Sequence, residues 1–209
     1  MMITKEYYLS KPCKVASIPY WKAKSIAIPD SMKILHQDEF DEMEFRQYID
    51  EPYFRLSHNL HGLTAPMLPQ GYSLCKATLG DFAVHINSCY DCISITEAEL
   101  RSYIAHPVYD AALWLAVKDN QTGNIVATGI AELDREIGEG VLEWIQVSKG
   151  CRGNGLGHYI VFELLWRMKG TAQFATVSGQ CNNTTNPEKL YRKCGFTGSD
   201  VWHILRKEN

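Results

Sequence analysis

One stretch, WIQVSKGCRGNGLGHYIVFELLWRM at residues 144–168, most constrains what this chain can fold into. An apolar run of strand character enters a turn with glycines at 153, 155 and 157, and the turn opens straight into a helical pattern. A strand that hands such a turn to a helix start builds an anion site. The first-turn amides have no intrahelical acceptor, and the helix dipole favours negative charge beside them. Glycine admits positive φ and lets a phosphate approach the backbone. Arg152 adds a cation. The plain competing reading is a turn that only redirects the chain.

Spacing narrows the ligand. A P-loop requires lysine after its last glycine, and His158 stands there instead. The dinucleotide fingerprint requires glycine at that same position. What remains is R-G-x-G-x-G: Arg152, Gly153, Asn154, Gly155, Leu156 and Gly157.

The rest of the chain sets bounds. Its 209 residues, 45% hydrophobic and 22% charged, suit one globular domain with an extension. A net charge of −3 offers no broad basic surface for nucleic acid. The first residues, MMITKEYYLSKPCKV, lack the apolar core of a signal peptide, and no apolar run is long enough to span a bilayer. The expectation is a soluble cytoplasmic protein with no membrane partner. Seven cysteines, an odd number without a secretion signal, read as reduced thiols. Cys89 and Cys92 form a C-x-x-C, but zinc needs two more ligands at matching spacing; the pair reads as buried or incidental, and no metal is expected.

The order of elements follows from pattern and punctuation. Residues 13–29 carry short β-like runs broken by Pro19 and Pro29, and 38–49 read as a short helix. HGLTAPMLPQG marks a boundary, giving an extension over 1–70 and a domain over 71–209. Beyond it, YSLCKAT, ALWLAV, IVATGIAELD, VLEWIQV, AQFATVSG and DVWHILRK read as strands. Helices are expected over GDFAVHINSCY, over TEAELRSYIAH with Thr96 as N-cap, over 155–168, and from Asn186-Pro187 to Gly195. The fold class is α/β (α+β): a mixed sheet with helices packed on it.

The glycine turn and a later helix together resemble the GNAT superfamily of acyl-CoA N-acyltransferases. RGNGLG fits that family's [Q/R]-x-x-G-x-[G/A] at Arg152, Gly155 and Gly157, and LYRKCGF fits its L-Y-x-x-x-G-F at Leu190, Tyr191, Gly195 and Phe196. The resemblance covers about residues 71–209 and implies a mostly antiparallel central sheet. It also implies acetyl-CoA as cosubstrate, a small-molecule or peptide amine as acceptor, and a homodimer as the family's frequent state. Backbone near Gln146 and Val147 would face the thioester carbonyl, with side-chain identity there of little weight. The family often carries an asparagine seven residues before the helix tyrosine; Thr184 holds that position here, and Asn182, Asn183 and Asn186 surround it.

Acyl transfer also needs a proton donor for the leaving thiolate and an acceptor for the ammonium proton. Tyr191 is the candidate acid, since a phenol matches a thiol in basicity; the plain alternative is an aromatic ring packed on the sheet. Glu143 is the candidate base. Strict alternation puts it with Ile145 and Val147, among apolar neighbours that would raise its pKa, and puts Leu142, Trp144 and Gln146 on the other face. Asp134, Glu139 and water chains compete for the role. A non-catalytic acyl-CoA sensor on the same fold, and a nucleotide-binding protein of another fold, are the alternative functions.

Overall fold

In the computed structural model, residues 1–58 and 176–209 form one unit and residues 59–175 another; the structure describes residues 3–90 and 93–207. The first unit begins with three short helices, α1 (Lys5–Ser10), α2 (Pro12–Val15) and α3 (Tyr20–Ala23). Thr4 caps α1 by accepting from the Tyr7 amide at 3.3 Å, and Pro12 opens α2 where its missing N–H costs nothing. Tyr8 and Tyr20 bring their rings to 5.4 Å. The strand character expected over 13–29 is therefore absent: local turn chemistry outweighs a few β-branched residues.

Two strands follow, β1 (Met32–His36) and β2 (Tyr48–His58). The segment between them is turns, not the helix expected over 38–49. Asp41 Oδ1 accepts the amides of Met43 at 2.8 Å and Glu44 at 3.4 Å, as an N-cap does, and Phe45 N bonds Asp41 O at 3.1 Å, but only this single turn forms before β2 begins. Phe40 is drawn onto His203, with ring centroids 3.7 Å apart.

The second unit contains β3 (Tyr72–Cys75), α4 (Leu79–Cys89), α5 (Glu97–Ile104), β4 (Trp114–Asp119), β5 (Ile125–Asp134), β6 (Glu139–Val147) and α6 (Leu156–Met168). Its strands lie in the order β6-β5-β4-β3, with antiparallel pairing throughout. Thr78 with Asp81 and Thr96 with Glu99 form capping boxes that start α4 and α5. Phe82, Ala83 and Ile86 of α4 join Leu100, Ala116 and Ile130 in one buried cluster on the sheet.

The other face belongs to α6. A Cβ on Gly129 would stand 2.4 Å from Ile160 Cγ2 and 3.2 Å from Leu164 Cδ1, so only glycine lets the helix come this close. Gly129→Val is expected to lower stability by about 1–3 kcal/mol, the usual cost of overpacking a filled core. Urea unfolding measures it. An unchanged midpoint would mean that α6 can shift outward freely.

The chain returns to the first unit through β7 (Phe174–Gln180), then α7 (Pro187–Lys193) and β8 (Thr197–Lys207). β8 lies between β1 and β2 and is antiparallel to both, with Ile34 opposite Ile204 and Tyr53 opposite Trp202. The N-terminal segment thus supplies both partners of the C-terminal strand.

Candidate functional site

β6 carries the first part of the site, and its register departs from simple alternation. Ile130 pairs with Trp144 and Ala131 with Leu142, so Glu143 is an extra residue in a bulge. Gly129, opposite Ile145, faces α6, and a Cβ on Gly140 would meet Met168 of α6 at 2.2 Å. Ile145 and Leu142 therefore share the α6 face. Glu143 does not join Ile145 and Val147, as alternation had it. The bulge turns it to the α4 face with Trp144 and Gln146. Trp144 packs against the α4 cluster and meets the Tyr90 ring at 6.1 Å.

Gln146 and Val147 end the strand. Gln146 is 4% exposed, and its side-chain amide donates to Thr128 Oγ1, so its side chain is engaged where only backbone was expected to count. His85 of α4 reaches the same hydroxyl: Nδ1 lies 2.9 Å from Thr128 Oγ1, and Nε2 lies 3.1 Å from Ser148 Oγ. Burial lowers the His85 pKa, while the nearby Val126 carbonyl opposes that shift. No sequence signal isolates this group; a histidine on an amphipathic helix is most simply a satisfied core residue.

The turn itself is open. Arg152, Gly153, Asn154 and Gly155 are exposed. Arg152 Nε donates to Val147 O at 3.2 Å, and Asn154 Nδ2 donates to Tyr72 Oη at 3.0 Å. Gly153 and Gly155 have φ of 86° and 81°, in the left-handed region that glycine allows. Gly155 is the N-cap of α6 and has no side chain to cap it. The first helical bond runs from Tyr159 N to Gly155 O at 2.9 Å, which leaves the amides of Leu156, Gly157 and His158 without helical acceptors. A Cβ on Gly153 would meet nothing within 4 Å. Amides without helical acceptors and the open space beside Gly153 fit an anionic group such as a pyrophosphate. His158 is exposed beside them, its ring 4.4 Å from Phe162.

The other residues expected from the sequence belong to the first unit. Tyr191 on α7 is 7% exposed; its ring meets Phe54 at 6.2 Å and Phe196 at 5.7 Å. Asn183 Oδ1 accepts from Thr185 N at 2.9 Å and Thr185 Oγ1 at 2.7 Å. Asn186, at φ 48°, caps α7 by accepting from Lys189 N at 3.3 Å. Both asparagines thus spend a side-chain oxygen on local turns. Gly195 closes α7 at φ 92°, and a Cβ there would stand 2.9 Å from His58 Nε2.

The competing carboxylates, Asp134 and Glu139, are opposite one another at the closed end of the β5–β6 hairpin and are buried. Among the described residues no group of three His, Cys, Asp or Glu side chains could hold a metal ion. Cys92, half of the C-x-x-C, lies outside the described residues. No disulfide joins the described cysteines. No described helix is long and apolar enough to cross a membrane.

Residues 110–198 match the family model described as the acetyltransferase (GNAT) domain. A GCN5-related N-acetyltransferase from Sphaerobacter thermophilus shares the fold at TM-score 0.64 and 22% identity, over 79% of this chain and 54% of that one. The chain therefore spans about half of that protein's length. An acetyltransferase of the GNAT family from Colwellia psychrerythraea matches over 97% of this chain and 74% of its own, at TM-score 0.62 and 14% identity. A functionally unknown conserved protein from Staphylococcus epidermidis matches over 100% of this chain and 83% of its own, at TM-score 0.58 and 12% identity. No curated protein matches the sequence. At these identities the structural likeness is one of fold: a mixed, mostly antiparallel sheet flanked by helices.

Proposed function

We propose that this chain belongs to the GNAT superfamily, whose acetyltransferase domain model residues 110–198 match, and that it moves an acetyl group from acetyl-CoA to a primary amine by direct attack. The observation that carries the reading is the start of α6: uncapped, exposed and turned by two glycines at positive φ, directly after β6. Acetyl-CoA, when bound, supplies an activated acyl group on a thioester. Arg152 and the amides of residues 153–158 would hold its pyrophosphate. Backbone at Gln146 and Val147 would polarise the carbonyl. Tyr191 would protonate the departing thiolate, and Glu143 would take the ammonium proton. Asn183 and Asn186 are assigned to the pantetheine arm. The Sphaerobacter protein is a GCN5-related N-acetyltransferase, which supports the choice of nitrogen as acceptor.

The test is release of free thiol from acetyl-CoA by the full chain against a panel of amines. Removing residues 1–58 is not a clean control, because β1 and β2 flank β8. Thiol release with at least one amine is expected. Tight CoA binding with no turnover on any amine would favour a sensor instead.

Glu143 can be tested separately. Loss of a base removes the rise in kcat/KM with pH that its ionisation produces. Glu143→Gln is therefore expected to flatten the acidic limb of the pH–rate profile. An acidic limb that stays in place removes Glu143 from the mechanism.

A further inference from the structure

Beside the apolar cluster that Phe82, Ala83 and Ile86 of α4 form with the sheet, the same helix buries one imidazole. The His85 ring, 4% exposed, bridges two strands: Nδ1 lies 2.9 Å from Thr128 Oγ1 on β5, and Nε2 lies 3.1 Å from Ser148 Oγ just past β6. Burying a polar ring is costly unless both nitrogens are bonded, and here both have partners. Gln146 donates its amide N–H to Thr128 Oγ1, the hydroxyl that also meets His85 Nδ1, and the Val126 backbone is a further hydrogen-bond partner of the ring. Cys89 Sγ, at 3.8 Å from Nε2, is the further neighbour.

The position of Ser148 gives the bridge its consequence. The β5–β6 ladder ends at the Ala127–Val147 pair and one more bond, from Ser148 N to Val126 O at 2.9 Å. Beyond Ser148 the chain makes a tight turn over Lys149–Cys151 and enters the glycine segment. Arg152 holds Val147 O from the far side of that turn. The ring of His85 is the hold that comes from α4, and it grips the last residue before the turn departs.

We propose that His85 is a positioning residue for the acyl-CoA site. Through Ser148 it fixes the point and direction at which the 149–155 turn leaves β6, and so holds the amides at the start of α6 in their binding pose. It touches no substrate itself. This rests on the CoA-binding reading given above.

Side-chain geometry supplies the test. Asparagine carries its amide near the place of Nδ1 and keeps the Thr128 bond; glutamine carries its amide near the place of Nε2 and keeps the Ser148 bond. CoA affinity by calorimetry, steady-state kinetics and thermal unfolding are measured on the full chain, with H85N, H85Q, S148A and the H85N/S148A double variant. Loss of one buried hydrogen bond predicts about fivefold weaker CoA binding for H85N and for S148A. KM for acetyl-CoA should rise by a similar factor while kcat holds. The double variant should be no worse than either single one, and H85Q should bind CoA like the wild type. Wild-type CoA affinity in S148A and H85N overturns the proposal. Multiplying effects in the double variant, or H85Q as impaired as H85N, overturn it too, since both mark a general packing role. A wild-type chain that binds no CoA overturns the reading beneath it as well.

Discussion

Tyr191→Phe is expected to leave CoA affinity unchanged and to lower kcat by about tenfold or more, the range for removing a general acid. The ring sits against Phe54 and Phe196 and is 7% exposed, so phenylalanine keeps every apolar contact and removes only the hydroxyl. The helix that carries it is fixed at both ends, by Asn186 as N-cap and by Gly195 at φ 92°. As free groups a phenol and a thiol are of comparable basicity, which suits a phenol to protonate a departing thiolate. The assay is kcat with saturating acetyl-CoA, paired with calorimetry for CoA. Undiminished turnover would return Tyr191 to an aromatic packing role, for which the two ring contacts already suffice. A loss of CoA affinity instead would make the hydroxyl a binding group.

The features legible in the sequence are those whose cause is local. Glycines at 153 and 155 announce a turn because few other residues tolerate φ near +80°, and α6 follows from its apolar pattern. Thr96 with Glu99 and Asn186 with Pro187 start helices within a few residues of themselves. Misreadings fall where a distant partner decides. The bulge at Glu143 exists only in the pairing with β5, so strict alternation along β6 put the carboxylate on the wrong face. The His85–Thr128–Ser148 contacts join residues from three elements, and no spacing along the chain encodes them. At 38–49 Asp41 starts a single helical turn that goes no further: Phe40 is stacked on His203 of β8, and β2 begins at Tyr48.

The bulge also changes what the face toward α4 offers. Glu143, Trp144 and Gln146 lie together on it, where alternation would have sent the carboxylate under α6. A base on the α4 face stands on the same side as the His85 network that grips the end of β6. The candidate proton acceptor and the candidate support of the cofactor turn therefore share one wall of the second unit. Changes to α4 should then register in both acceptor kinetics and CoA affinity.

Gly155→Val is expected to weaken CoA binding by at least about tenfold, through two costs that add. The first is conformational: at φ 81° a β-branched residue pays roughly 1–2 kcal/mol, relieved only if the turn rearranges. The second is steric: a Cβ on Gly155 would already stand 3.5 Å from Pro69 Cγ, so the valine methyls crowd the turn at the N-cap of α6. Gly170→Val separates the two. Gly170 has φ 88°, nothing within 4 Å of its Cβ, and lies past the opposite end of α6. That variant should lose similar stability in urea while binding CoA as the wild type does. Equal CoA affinity in both variants would show that the turn at 152–157 is only a change of direction, and the anion site would have to be sought elsewhere.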